Sequence, residues 1–375
     1  MSETYDLKDD LVISSSPHLH VGSSVQRIML DVIIALVPCC VAAFLIFGAR
    51  ICGLIAVCCA ATVLTEWLCR KLMRRANTIG DLSALLTGLL LALNLPSSLP
   101  LWQAALGSVV AIALAKQVFG GLGYNPFNPA LIGRAFLLIS FTAEMTTWSE
   151  SAWVADLSYN STTSATALEL READGETFVV NVQDSKYNGT TTATPLMLLK
   201  AASKHGVKPS FKYTNDVRKN LFLGRMNGSI GEVSSLAILL GAIWLLYRRV
   251  ITWYIPVGFI GSAALYAWLF GIAFPSIAMP VDFHLLTGGL LFGAFFMATD
   301  MVTTPITYGG QFIFGVGCGI LTMIIRTVPG GAYPEGVSFA ILIMNAFTPL
   351  INKAIKKTRR PGYGHSAKKV CGRGA

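Results

Sequence analysis

Two threonine-rich stretches hold the residues best placed for covalent chemistry. They are Thr162-Thr163-Ser164-Ala165-Thr166-Ala167-Leu168 and Thr190-Thr191-Thr192-Ala193-Thr194-Pro195-Leu196. In the second, Thr194-Pro195 reads as a helix start. Threonine suits the N-cap, proline suits the first helical position, and Leu196 to Ala202 supply helix-forming residues. A helix N-terminus offers free N–H groups and a positive dipole end to an anion, so a phosphate esterified to Thr194 would sit in a favourable field. A hydroxyl with no activating base is a poor nucleophile, so a separate enzyme would have to make that ester. Spacing alone favours a solvated Ser/Thr-rich loop with a capped helix. Two acids, Asp31 and Asp300, are flanked by apolar sequence. Intramembrane acids default to an ion or proton path. The eight cysteines show no CxxC or Cys/His spacing. Six of them (Cys39, Cys40, Cys52, Cys58, Cys59 and Cys318) lie in apolar runs. They read as small buried hydrophobes rather than as a disulfide framework or an iron–sulfur site.

The elements that must position these residues follow from charge and hydropathy. The chain has 375 residues, 53% hydrophobic and 13% charged, against about 25% charged for a soluble domain. Residues 1–27 hold 6 charges, residues 144–220 hold 17 and residues 353–375 hold 8, which leaves 18 for the other 248 residues. Such a body can neither present a soluble surface nor be disordered. It reads as a polytopic membrane protein with one wet insertion and two wet ends. Residues 1–20 are polar and lack the apolar core of a cleavable signal peptide. Ten apolar runs follow in order: Ile28–Phe47, Ile51–Leu68, Leu82–Leu95, Leu101–Phe119 and Pro129–Phe141, then Ile230–Leu246, Ile251–Phe270, Leu285–Met297, Gln311–Ile325 and Val337–Ile351. Several are shorter than the ~20 residues of a straight transmembrane helix.

Three basic clusters set the orientation: Arg70, Lys71, Arg74 and Arg75; Arg248 and Arg249; and Lys353, Lys356, Lys357, Arg359 and Arg360. With both termini in the cytoplasm all three clusters face it, and the insertion falls outside. The expected organisation is a cytoplasmic segment 1–27, a first membrane repeat 28–143, an external insertion 144–227, a second membrane repeat 228–352 and a basic cytoplasmic tail 353–375. The pI of about 9.2 is then an orientation signal and a tail near anionic lipid, not a sign of nucleic-acid binding.

The halves echo each other. Leu85-Leu86-Thr87-Gly88 recurs as Leu285-Leu286-Thr287-Gly288, preceded by Asp81 and Asp282. Lys116 lies four residues before Gly120-Gly121, and Arg326 four before Gly330-Gly331. By the span count the two Gly-Gly loops face opposite sides, so the repeat is inverted. Inverted repeats with short, Gly/Pro-broken helices point to a site near the bilayer midplane. The competing reading is that the glycines only permit close helix packing. Asp31, Glu66, Lys116, Arg134, Glu232, Asp282, Asp300, Arg326 and Glu335 are the ionisable residues at or near the membrane. Most lie near span ends, where interfacial solvation or snorkelling is expected.

The whole chain resembles the D subunit of the Rnf (Rsx) electron-transport complex and, more distantly, the B subunit of the sodium-translocating NADH:quinone oxidoreductase. The resemblance rests on Ser16-Pro17-His18, on Leu85-Leu86-Thr87-Gly88 with Asn94-Leu95-Pro96, and on Lys116 to Gly123 with Asn125-Pro126-Phe127-Asn128-Pro129-Ala130. It continues through Gly228 to Glu232, Phe295 to Asp300 and Tyr333-Pro334-Glu335-Gly336-Val337. It implies an all-α polytopic fold of about ten helices in two inverted repeats, similar to urea transporters. It implies a covalent FMN carried by its phosphate on an external threonine, normally within Ser/Thr-Gly-Ala-Thr and often before Pro-Leu. Thr191-Thr192-Ala193-Thr194-Pro195-Leu196 matches best and departs at Thr192; Thr166, in Ser164-Ala165-Thr166-Ala167-Leu168, is the second choice. A second, noncovalent flavin is implied by the more distant relative, with no residue here to identify it. The implied partners are the other subunits of the complex, the lipid bilayer and a periplasmic flavin transferase. The implied place is a bacterial inner membrane, with residues 144–227 periplasmic. The implied activity, exerted only within the complex, is electron transfer between ferredoxin and NAD coupled to sodium or proton movement, with Asp300 and Asp31 as ion-path candidates. The alternative is a channel or secondary transporter for a small solute.

Overall fold

The computed structural model describes residues 24–148, 167–171, 177–181, 196, 199, 215–224, 228–275, 278–328 and 336–358. The first half comprises α1 (Val25–Phe47), α2 (Arg50–Leu72), α3 (Ser83–Leu93), α4 (Leu101–Ile112) and α5 (Pro129–Ser140), followed by the single turn α6 (Thr142–Met145). A π turn, Ala113–Gln117, prolongs α4. The insertion contributes β1 (Ala167–Arg171), β2 (Thr177–Asn181) and α7 (Asn215–Leu223). The second half comprises α8 (Ser235–Tyr247), α9 (Tyr254–Ala273), α10 (Val281–Leu286), α11 (Leu290–Phe292), α12 (Tyr308–Thr327) and α13 (Val337–Thr358). A second π turn, Gly293–Met297, prolongs α11.

Local chemistry sets several boundaries. The Ser24 side chain accepts from the Arg27 N–H and caps α1, and Gly48, at φ 79°, ends it. Asn128 accepts from the Ala130 N–H, with Pro129 in the first turn of α5, a favoured helix start. Ser234 and Thr307 cap α8 and α12 in the same way.

A helix stands at each of the ten apolar runs. Five of them, α1, α2, α9, α12 and the Val337–Ile355 part of α13, are long and apolar enough to cross a membrane. Among the described residues the membrane body is helical, as expected, and the insertion adds an antiparallel ribbon of β1 and β2 pairing Ala167 with Asn181 through to Arg171 with Thr177. One expectation needs correction. The run Leu285–Met297 is not one helix. It straddles a break between α10 and α11, where Gly288 and Gly289 take φ of 68° and 66°.

Helix α1 packs on α8, α2 on α3 and α4, α4 on α5, α9 on α12, α12 on α13, and α5 on α13. The α9–α12 crossing depends on small residues. A methyl group added at Gly315 or Gly319 would strike the backbone of Ile255 or Phe259, so the two helices meet backbone to backbone, as membrane helices do when glycine lines the seam. Leu36, Leu54, Leu91, Leu93, Phe259, Phe292 and Phe314 form part of one continuous core spanning both halves. Large apolar residues such as Leu45, Trp102, Leu265, Trp268, Ile313 and Phe347 are exposed on the outside. An exposed apolar belt around a packed core is the surface a bilayer would solvate.

Candidate functional site

The break in the second half is held by two charges. Helix α10 ends in carbonyls with no partner inside the helix, and α11 begins with free N–H groups. Arg326, in the last turn of α12, donates from Nη1 to the His284 carbonyl at 2.7 Å and from Nη2 to the carbonyls of Thr287 at 3.0 Å and Gly288 at 2.7 Å. A cation thus closes the negative end of α10. Glu232 does the converse. Its Oε1 accepts from the Ser229 N–H at 2.8 Å, and its other oxygen lies so close to Gly289, the residue before α11, that a methyl group there would collide with it. An anion thus stands at the positive end of the restarted helix.

Arg134, on α5, donates from Nη1 to Asn94 Oδ1 and to Ser338 Oγ, both at 3.0 Å. It therefore ties α5 to the end of α3 and to α13. Asn94 Nδ2 donates to the Leu90 carbonyl at 2.8 Å, and its other close neighbour is the Met297 sulfur at 3.8 Å. Asn128 Nδ2 donates to the Met297 carbonyl at 3.2 Å.

The first half holds its Leu-Leu-Thr-Gly helix differently. Lys116, in the π turn after α4, donates to Glu66 Oε2 at 2.8 Å and to Ser83 Oγ at 2.6 Å. Glu66 also accepts from Thr78 at 2.8 Å, and Asp81 accepts from the Ser83 N–H and hydroxyl. Lys116 and Glu66 are 1% and 0% exposed. Glu66, Lys116, Arg134 and Arg326 are therefore buried partners, not the snorkelling side chains their positions near span ends suggest.

The two ion-path candidates have different surroundings. Asp31 is paired with Arg248, Oδ1 to Nε and Oδ2 to Nη2, both at 3.2 Å, across the α1–α8 crossing. Asp300 follows the second π turn; it accepts from Thr303 Oγ1 at 3.2 Å and from the Val302 N–H at 3.4 Å. Asp300 lines a cavity of about 80 Å³ together with Ser83, Thr87, Lys116, Asn125 and Asn128. Asp31 is not on that wall, so the structure does not bring the two acids together.

Thr194 and Thr166 lie outside the described residues. Their chain neighbours are placed: Thr166 directly precedes β1, and Leu196 and Leu199 are helical and buried. Both leucines pack with Leu221 of α7 and Phe283 of α10, and Arg218 of α7 is ion-paired with Asp282. A methyl group at Gly288 would meet both Leu196 and the Arg326 guanidinium. The chain two residues after Thr194 is thus seated on the α10–α11 break. Among the described residues no cluster of His, Cys, Asp and Glu is arranged to hold a metal ion.

A bundle with an apolar belt, a broken helix and charges paired in its interior defines a multi-pass α-helical membrane protein. The chain belongs to the NQR2, RnfD, RnfE family, whose model matches residues 12–360. It is 42% identical over 353 residues to the D subunit of the proton-translocating ferredoxin:NAD(+) oxidoreductase complex of Clostridium ljungdahlii, covering 94% of this chain and 97% of that one. It is 41% identical over 350 residues to the D subunit of the Na(+)-translocating ferredoxin:NAD(+) oxidoreductase complex of Acetobacterium woodii, covering 93% and 94%. It is 38% identical over 362 residues to the D subunit of the ion-translocating oxidoreductase complex of Shigella boydii, covering 94% and 98%.

Proposed function

We propose that this chain is the D-type subunit of an ion-translocating ferredoxin:NAD oxidoreductase complex, acting as an electron relay within it and not alone. The observation that carries this reading is the near full-length match to relatives bearing that name. The ten helical segments are taken as ten crossings in two inverted repeats. The matching helix pairs support this: α4 lies on α5 as α12 lies on α13, and α2 on α4 as α9 on α12, with α1–α8 and α5–α13 joining the halves. The basic loops favour an orientation with both termini in the cytoplasm and residues 144–227 in the periplasm of a bacterial inner membrane.

The reading includes a covalent FMN on Thr194, attached by a periplasmic flavin transferase. The seat of the following residues fits such a group. Leu196 is fixed against the Gly288 turn, and Arg326 lies beneath it as a positive charge. His284, in the same turn, has a buried Nδ1 with no hydrogen-bond partner. When bound through its phosphate, the flavin supplies one- or two-electron transfer, and the protein supplies position and field. Arg326 would hold a phosphate ester by charge. The Leu196–Phe283 contact would orient it. Asp300 is assigned to the ion path.

The test is covalent flavin on denatured protein co-expressed with a flavin transferase. A fluorescent band in an SDS gel is expected for the wild type and for Thr166→Ala, and no band for Thr194→Ala. A band that survives Thr194→Ala and vanishes with Thr166→Ala moves the site to Thr166. No band in any background favours a channel or transporter for a small solute, which the cavity beside Asp300 would then serve.

A further inference from the structure

Helix α2 ends in a cluster of positive charge. It has 23 residues and so spans about 34 Å, which puts its last turn at the headgroup level of a bilayer. Arg70 and Lys71 lie in that turn, and Arg74 and Arg75 follow it. The Arg74 N–H donates to the Lys71 carbonyl and the Arg75 N–H to the Arg70 carbonyl. This pair of bonds reverses the chain through a left-handed residue that is usually glycine. Here it is Arg74, at φ 52°. Arg75 Nη1 then donates to the Gly120 carbonyl at 3.2 Å, and the Arg70 guanidinium fills the place a side chain would take at Gly121. Two guanidiniums thus converge on one glycine turn.

Cations so placed repel each other unless an anion lies between them. Among the described residues, no ion pair takes in Arg70, Lys71, Arg74 or Arg75. Glu66 and Asp81, the acids nearest in sequence, are engaged by Lys116 and Thr78 and by Ser83. Arg70 Nε is buried without a hydrogen-bond partner. The end of α2 carries about half a negative charge, which offsets only a fraction of four cations. The flanks of the cluster are apolar and exposed. Leu64, Leu68 and Leu72 follow one another at four-residue spacing along one face of α2 and are all exposed. So are Leu114 and Val118 at the end of α4, which packs on α2. Lys71 Nζ lies 4.8 Å from the Trp67 ring. A soluble acidic partner offers nothing to these leucines. A lipid offers phosphate at the height of the cations and acyl chains beside the leucines.

We propose that the end of α2 and the Gly120-Gly121 turn bind one phospholipid with two phosphodiester groups, a diphosphatidylglycerol. One phosphate sits between Arg70 and Arg75, the other against Lys71 and Arg74, and the acyl chains lie along Leu64, Leu68 and Leu72. A lipid with a single phosphate leaves half of the cluster uncompensated. The strained Arg74 is kept at a glycine position because its charge is used there. The site is independent of the flavin and of the transported ion.

The experiment is native mass spectrometry of the full-length chain in neutral detergent. The probes are tetraoleoyl diphosphatidylglycerol, dioleoyl phosphatidylglycerol at twice the concentration, and dioleoyl phosphatidylcholine. One tight diphosphatidylglycerol adduct is expected, which neither other lipid replaces. Each cation near the headgroups is worth about fivefold in affinity, so Arg70→Gln/Arg75→Gln should bind about twenty-five-fold more weakly. Arg74→Gly keeps the turn and relieves its strain. It should bind about fivefold more weakly, while its heat-aggregation midpoint without lipid stays equal or rises. Wild-type affinity in both variants overturns the proposal, as does equal binding of phosphatidylcholine. Phosphatidylglycerol that binds as tightly as diphosphatidylglycerol overturns the two-phosphate site. If the arginine pair variant fails to fold, Arg74→Gly decides. If the variants bind the lipid as wild type does but their purified complex lacks a soluble subunit, the cations face a protein and the proposal falls.

Discussion

Lys116→Met should be among the most damaging single changes on the side of the bundle away from the insertion. In the wild type the Lys116 ammonium makes two short bonds, to Glu66 and Ser83, and Glu66 receives one more, from Thr78. Methionine fills nearly the same volume, so packing changes little. What remains is the Glu66 carboxylate with one oxygen unsatisfied and no counter-charge. Breaking one side of a buried pair costs about 3–5 kcal/mol. The double variant Lys116→Met/Glu66→Gln removes both charges and keeps an amide oxygen for Thr78. Its cost should fall to about 1–2 kcal/mol, the value of one or two lost hydrogen bonds. Glu66→Gln alone strands the buried Lys116 ammonium and should likewise cost about 3–5 kcal/mol, so the expected coupling, the two single costs less the double, is at least about 4 kcal/mol, which a double-mutant cycle isolates. The assay is unfolding in mixed micelles with increasing SDS, followed by tryptophan fluorescence. If the double variant loses as much as the two single variants together, the pair is not an electrostatic unit and the reasoning fails.

Two further outcomes follow from the same geometry. Asp300→Asn should impair coupled ion transport in the complex while leaving covalent flavin on the subunit unchanged, since Asp300 lines the cavity and is bonded only within its own turn; equal pumping by mutant and wild type removes that role. Gly315→Val should separate α9 from α12, because even a methyl group there meets the Ile255 carbonyl; overpacking costs about 1–3 kcal/mol or more, read as a lower heat-aggregation midpoint in detergent, and a midpoint equal to wild type would show that the crossing has room.

The helices are legible in the chain because hydropathy and capping are local properties. The Asn128-Pro129 start of α5 and the ten apolar runs can be read off it directly. The charge pairs cannot. Glu66 and Lys116 are 50 positions apart, Asn94 and Arg134 are 40, and Arg134 and Ser338 are 204. The charged members are visible as ionisable residues near span ends, where solvation is the default expectation. Only the packing shows that each faces inward towards a partner. The β1–β2 ribbon is hidden for another reason: each strand is five residues long, too short for its pattern to stand out within a polar insertion.

The two copies of Leu-Leu-Thr-Gly show how small a sequence difference relocates a site. Gly88 is followed by Leu89, and Gly288 by Gly289. A left-handed conformation costs a leucine about 1–2 kcal/mol and a glycine almost nothing. Gly88 is also pressed against Thr62 and the α2 backbone at Cys58 and Cys59, which leaves no room for the chain to kink there. So α3 runs unbroken from Ser83 to Leu93, and Lys116 need only hold its first turn. In the second half the paired glycines let the chain turn twice through positive φ, which exposes the end of one helix and the start of another in the protein interior. Exposed ends carry about half a charge each, and at that depth no water is available to solvate them. Arg326 and Glu232 are therefore required by the break. Arg326, once placed there, lies under Leu196. One extra glycine thus concentrates charge at one end of the second half, on the seat of the Thr194 segment.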